Sequence, residues 1–297
     1  CSPTSAGAPS TPERGAPMPE MPEVQAHAER LTEDFAGRVL RRFVPLTFTA
    51  LKTARPAPDE TDGLPLLDVG RRGKYLLLRF APVTFVVHLM QGGRLLVDVK
   101  QSVKPRGGQA RWLFTDDGPA LLLTEQGTER RAGVWCVPTE DALAGPPLDR
   151  LGPEAATIEP ADLAARFADR SMRVHGFLRD QRSVAGIGRR LANEVLHRAK
   201  ISPFAMTGKL GADGATTIVT ATRDAVAEGL EYERMRDDMS SSKDRPGRVH
   251  GRTGEPCPVC GDTVRAVEYS GYTVNYCPTC QTGGKVLADN TTSKFLK

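Results

Sequence analysis

Residues 256–281 read PCPVCGDTVRAVEYSGYTVNYCPTCQ, and their cysteines decide how the C-terminal end of the chain is built. Cys257 and Cys260 form one C-x2-C pair and Cys277 and Cys280 a second, with sixteen residues between the pairs. Each pair lets two thiolates from one tight turn reach the same metal, and the spacing is that of a four-thiolate zinc site. The stretch reads as a β-hairpin carrying a knuckle at each end. Four protein ligands leave no open coordination position, so one structural Zn2+ per chain is expected. Two disulfides in a secreted protein would use the same cysteines, but no apolar signal-peptide segment accompanies them. Cys136 lies in the apolar run Val134-Trp135-Cys136-Val137 and is expected to be a buried free thiol.

Outward from the hairpin the chain is basic. Residues 171–297 carry 19 Lys/Arg against 14 Asp/Glu, whereas residues 1–170 are near balance, so the net charge of +4 belongs to the C-terminal part. A polyanionic partner is hinted at, though weakly. The length of 297 residues suggests about two domains. With 29 Gly, 23 Pro and 26% charged residues the composition excludes wholesale disorder, a collagen-like repeat and a coiled coil. No apolar run approaches the roughly 18 residues of a membrane span, so a soluble, cytoplasmic protein with no membrane partner is expected.

Residues 1–17, rich in Pro, Ser, Ala and Gly, read as a disordered extension. Val24, Ala28, Leu31 and Phe35 recur at one helical face, and after Gly37 the pattern turns to short strands over 40–52, 66–80, 83–89, 94–99, 111–115, 120–124 and 133–137. Residues 138–152 read as a linker. Helices are expected at about 160–169, 172–182, 190–200 and 214–239, and a polar loop at 240–256. The expected class is therefore a multidomain α+β chain. Its parts are a catalytic β-sandwich domain with a leading helix (18–150), a helical domain (151–247), and a zinc finger with tail (248–297).

Several segments, in order, resemble the formamidopyrimidine-DNA glycosylase/endonuclease VIII family of DNA repair enzymes. They are Met18-Pro19-Glu20-Met21-Pro22-Glu23-Val24, Gly70-Arg71-Arg72-Gly73-Lys74-Tyr75, His88-Leu89-Met90-Gln91-Gly92-Gly93-Arg94-Leu95, Leu151-Gly152-Pro153-Glu154, Asp180-Gln181 through Gly186-Ile187-Gly188, and Val249-His250-Gly251-Arg252 leading to Cys257. The resemblance implies an antiparallel β-sandwich, a helix-two-turn-helix domain and a β-hairpin zinc finger. It also implies a bifunctional glycosylase and abasic-site lyase of base-excision repair, acting as a monomer on damaged double-stranded DNA and associated with the nucleoid.

On that resemblance Met18 is the start and is removed, leaving Pro19 with a free secondary amine as nucleophile. An α-amino group titrates near pH 8, so a useful fraction is unprotonated at pH 7. Attack on C1′ expels the base and leaves an iminium that acidifies the C2′ proton. Glu20 is the acid/base partner, and Lys74 holds a phosphate. Alone, Pro19 reads rather as a turn residue, Glu20 equally as a helix cap, and Lys74 has the reading of a solvated strand lysine. His88, Gln91, Arg130, Arg131, His175, Arg189, Arg190 and Arg252 are the expected DNA contacts. Met90 and Gln91 belong to the wedge that fills the gap left by the extruded nucleotide. The turn before Arg189 is expected to present backbone amides to phosphates.

Four departures bear on substrate. Ala132 and His175 stand where the formamidopyrimidine group has Phe and Lys. The loop around Lys243-Asp244-Arg245-Pro246-Gly247 is shorter than the lid over an oxidised purine. Tyr272 stands where the family has a finger arginine that binds phosphate, with Arg252, Arg265, Lys285, Lys294 or Lys297 as possible substitutes. The missing Phe and the short lid predict that 8-oxoguanine is a poor substrate. A non-catalytic DNA-binding protein is the alternative, and the Pro19-Glu20-Lys74 set argues against it.

Overall fold

The computed structural model describes residues 18–126, 130–239, 245–269 and 272–287. The extension 1–17, Glu129, Lys243, Asp244, Lys294 and Lys297 lie outside the described residues.

Helix α1 (Met21–Phe35) opens with proline in its first turn, where the missing N–H has no intrahelical partner to lose. Its face of Val24, Ala28, Leu31 and Phe35 is buried, as the spacing predicts. Eight strands follow: β1 (Leu40–Pro45), β2 (Asp68–Arg72), β3 (Tyr75–Phe80), β4 (Val83–His88), β5 (Gly93–Asp98), β6 (Gly108–Phe114), β7 (Ala120–Glu125) and β8 (Gly133–Pro138). They form two antiparallel four-stranded sheets, ordered β1-β6-β7-β5 and β2-β3-β4-β8. Phe43 and Trp112 from one sheet meet Phe85 from the other at ring separations of 5.0 and 5.7 Å, which marks the sandwich core. Cys136 is buried in β8, and burial pushes its thiol up to about 12.

Two expected strands are corrected. The span 40–52 stops at Pro45, which brings no ladder N–H of its own. The span 66–80 breaks into β2 and β3 at Gly73, whose φ of +56° makes a tight turn that places Lys74 at its corner.

A second core is helical, formed by α2 (Pro160–Asp169), α3 (Val174–Arg179), α4 (Arg189–Arg198) and α5 (Gly211–Arg234). The helix expected over 172–182 is only α3, because the chain turns at Asp180. There Gln181 spends its amide on the following loop, accepting from Gly186 N–H at 2.9 Å and donating to Ile187 O at 2.8 Å. The helix expected over 214–239 is α5, starting three residues earlier and ending five residues earlier. Strands β9 (Arg265–Tyr269) and β10 (Tyr272–Tyr276) make the antiparallel hairpin of the finger, closed by the short helix α6 (Pro278–Thr282). Among the described residues no helix is long and apolar enough to cross a membrane.

Candidate active site and zinc site

Pro19 and Glu20 are buried where the two cores meet. Met21 packs into the helical core while Val24, one turn on, belongs to the sandwich core. The Met21 N–H donates to Gly186 O at 3.1 Å, so the start of α1 is docked directly on the turn before α4.

Glu20 does not cap its own helix. Its Oε1 accepts the Arg190 N–H and its Oε2 the Leu191 N–H, both at 2.9 Å. These are first-turn amides of α4, which have no intrahelical carbonyl, and the N-cap of α4 is Gly188, which has no side chain to offer. A carboxylate 170 residues away therefore supplies the cap. Gly188 is required for this, since a Cβ there would sit 2.2 Å from Glu20 Oε1. In the turn expected to present amides to DNA phosphates, the Ala185 N–H donates to Pro153 O at 2.8 Å and the Gly186 N–H to Gln181 at 2.9 Å.

Lys74 is 8% exposed. Burial pulls its ammonium below the usual lysine range, Glu20 opposes that shift, and Arg179 and Arg189 add to it. The structure thus gathers Glu20 and Lys74 into one electrostatic site. The turn bearing Lys74 is clamped by Glu154. Its Oε1 accepts from Arg72 and from the Gly73 N–H, each at 2.6 Å, and its Oε2 accepts from Arg71 at 2.7 Å. Glu23 lies beneath, fully buried, with Arg245 at 3.2 Å and Glu233 across the same guanidinium. Burial raises the Glu23 carboxyl despite Arg245.

The expected DNA contacts divide. Gln91, Arg130 and Arg131 are exposed, on the loops after β4 and β7. His88, at the end of β4, is held neutral by burial, with its pKa lowered to about 4, and accepts the Met90 N–H at 3.2 Å. Met90 has a φ of +52°, so a non-glycine residue holds a left-handed turn beside the exposed Gln91. Ala132 is buried, its N–H donated to Glu125 at 2.6 Å, and offers no wedge side chain. Arg189 is half-buried. Arg190 is buried and donates to the Arg245 carbonyl, and His175 is buried with its pKa lowered by burial to about 3. Neither side chain stands on the surface, because α3 and α4 turn those positions inward. Arg252 is spent on its own surroundings, pairing with Glu255 at 2.6 Å and donating to Gly247 O at 3.2 Å.

The four finger cysteines converge. Cys260 and Cys277 Sγ are 3.4 Å apart, and Cys257 and Cys280 Sγ are 3.9 Å apart. Four thiolates around one tetrahedral zinc, each about 2.3 Å from it, stand about 3.8 Å apart, so the donor set fits the ion. His197 of α4 joins them. Its Nε2 is 3.3 Å from Cys257 Sγ, and its ligand atom and those of Cys257, Cys277 and Cys280 all lie within 4.8 Å of one another.

The formamidopyrimidine-DNA glycosylase N-terminal domain family matches residues 18–135, its H2TH domain family residues 151–240, and the zinc finger found in FPG and IleRS residues 254–283. The chain belongs to the formamidopyrimidine-DNA glycosylase/endonuclease VIII family. An uncharacterized formamidopyrimidine-DNA glycosylase-like protein of Mycobacterium tuberculosis is 44% identical over 158 residues, covering 52% of this chain and all of that protein. The formamidopyrimidine-DNA glycosylase of Geobacter sulfurreducens is 34% identical over 278 residues, covering 89% of this chain and all of that enzyme. The crystal structure of the MutM (FPG) protein from Thermus thermophilus superposes with a TM-score of 0.76 at 28% identity, covering 90% of this chain and all of that one. The fold is that of this family, and its finger is a zinc finger. The chain is accordingly a DNA glycosylase of base-excision repair.

Within that family frame, three residues escaped the sequence reading. His197 shows only as a polar residue in a helix, and nothing local says that α4 meets the finger. Arg245 was read as part of a short polar loop, yet it is buried against Glu23 and Glu233. Arg179 stands four residues after His175 on α3, a helical spacing that does point both at one neighbour. That neighbour is Tyr272.

Proposed function

We propose that the chain removes a damaged base and then cuts the abasic strand, with the secondary amine of Pro19 as nucleophile. The amine attacks C1′, the glycosidic bond breaks, and the base leaves with a proton. The C1′–O4′ bond of the sugar then breaks to leave an iminium, which withdraws electrons; a base takes the C2′ proton, and the C3′–O bond breaks in β-elimination. Glu20 delivers a proton to the sugar ring oxygen as the ring opens. Lys74 holds the phosphate. The observation that supports this most is the burial of Pro19 and Glu20 at the N-terminus of α4, with Lys74 in the same electrostatic site.

The reading requires Pro19 to be N-terminal, because within the chain its nitrogen is a tertiary amide. Intact mass of the active protein checks that requirement. Borohydride trapping on abasic-site DNA tests the mechanism: the chain starting at Pro19 should give a covalent adduct, with Pro19→Gly and Glu20→Gln as controls. DNA binding with no adduct and no strand cleavage refutes it and leaves a damage-binding protein. The missing wedge Phe at Ala132 and the short lid loop favour abasic sites, ring-opened purines or oxidised pyrimidines over 8-oxoguanine, and excision of 8-oxoguanine opposite cytosine as fast as abasic-site cleavage refutes that preference.

The exposed Gln91, Arg130 and Arg131 form the wedge and the partner-strand contact of a monomer on duplex DNA. In the finger, Cys257, Cys260, Cys277 and Cys280 hold the zinc, and His197 donates its Nε2–H to the Cys257 sulfur. Such outer partners orient a ligand without binding the ion.

A further inference from the structure

The finger hairpin packs an aromatic ring against α3. Tyr272 opens β10, and its ring lies beside two side chains of α3. The His175 ring is nearly parallel to it, at 12° and a centroid distance of 6.2 Å. The guanidinium carbon of Arg179 lies 4.0 Å above its centroid. A guanidinium stacked this closely on a ring is held in place, and its planar fork can meet an anion edge-on. His175 is a neutral support, since it is buried and its Nε2 has no partner.

The charges around this shelf do not balance. Lys74, Arg179 and Arg189 lie within one another's field; Glu20 opposes Lys74 and Arg179, and Glu23 opposes Lys74 but is paired with Arg245. Glu20 is already committed to the α4 amides. Neither Arg179 nor Arg189 closes an ion pair among the described residues. Half-buried like charges held together in a folded protein are compensated by an anion from outside. A phosphodiester suits the site, because a planar guanidinium can meet two of its oxygens at once.

We propose that Arg179, shelved on Tyr272, grips a DNA phosphate beside the reacting nucleotide, so that α3 supplies the cation that the finger does not. The proposal rests on the reading of this site as the abasic-DNA site. Tyr272 and His175 are positioning residues for Arg179, and Arg252 is excluded from the role by its commitment to Glu255 and Gly247.

The test is equilibrium binding of the full chain, by fluorescence anisotropy, to a duplex carrying one tetrahydrofuran abasic analogue, across a series of salt concentrations. Each phosphate contact contributes about 0.9 to the slope of log K against log salt. Arg179→Met, which keeps packing on Tyr272 without charge, should weaken binding roughly tenfold and lower the slope by about one. Arg179→Lys should retain the slope. An Arg179→Met chain with wild-type slope and affinity overturns the proposal, as does loss of slope in Arg179→Lys equal to that in Arg179→Met. Melting temperature and zinc content of both variants establish that they are folded. Failure of the wild-type chain to form the borohydride adduct would refute the lyase mechanism and leave the salt slope to decide Arg179 separately.

Discussion

Replacing Glu154 by alanine should loosen the corner that carries Lys74. The carboxylate accepts three hydrogen bonds, two from arginine side chains and one from the Gly73 backbone, at 2.6 to 2.7 Å. It is 19% exposed, and its partners Arg71 and Arg72 are 10% and 22% exposed. Charge-assisted bonds contribute about 1.5–3 kcal/mol each but are not additive. Truncation also takes the anionic acceptor from two guanidiniums, which keep Gln25, Gly73 O and Gly152 O, and leaves the Gly73 N–H without its acceptor. In a fully buried pair that would cost about 3–5 kcal/mol. Water reaches part of this cluster, so a loss of about 2–3 kcal/mol is expected, which for a chain of this size lowers the melting temperature by about 5 °C. The functional effect should exceed the stability effect, because Glu154 spans the two domains and fixes where Lys74 points. A displacement of about 1 Å can cost on the order of 100-fold in rate. The assay pairs thermal unfolding with single-turnover borohydride trapping on abasic-site DNA. Glu154→Gln, which keeps an acceptor oxygen, should fall between wild type and alanine. A Glu154→Ala chain that melts and traps like wild type would refute the clamp.

Three further outcomes are expected. Gly188→Ala places a methyl 2.2 Å from Glu20 Oε1, so Glu20 should leave the α4 amides and trapping should drop at least tenfold while the finger keeps its zinc; unchanged trapping would show that Glu20 need not sit there. Cys257→Ser or chelation should unfold the finger locally and weaken DNA binding, because binding of a structural ion is coupled to folding of its site, with zinc stoichiometry and anisotropy as readouts. Stability should fall as pH drops from about 6.5 towards 4. Burial holds His27 at about 4 and His175 at about 3, below the unfolded value of 6.5, so the unfolded chain takes up protons first; urea midpoints measure this, and His27→Gln, which cannot be protonated, should flatten the fall.

The sequence carried the local devices well. Thiolates two residues apart reach one metal because a tight turn brings them together, whatever else the chain does. The helical face of α1 and most strands were legible for the same reason, since periodicity reports which side is buried. Legibility failed where one residue changed direction inside an apolar run. Gly73 splits 66–80 at the position that carries Lys74, and Asp180 ends α3 inside a segment that still reads as helix. Periodicity also could not say that Arg190 and His175 point inward, because their burial depends on α4 meeting Arg245 and on the finger covering α3.

By itself, then, the sequence determined the ordered modules, the zinc ligand spacing and the residues able to do the chemistry. Tertiary structure decided how they meet. Glu20 finds the orphan amides of α4 across 170 residues, Glu154 holds the Lys74 corner across 81, and Arg179 finds the ring of Tyr272 from another module. The physical reason is common to all three. An unsatisfied helix amide, an unpaired guanidinium and an open aromatic face are local facts of the chain, but their partners are chosen only when packing brings distant segments into contact.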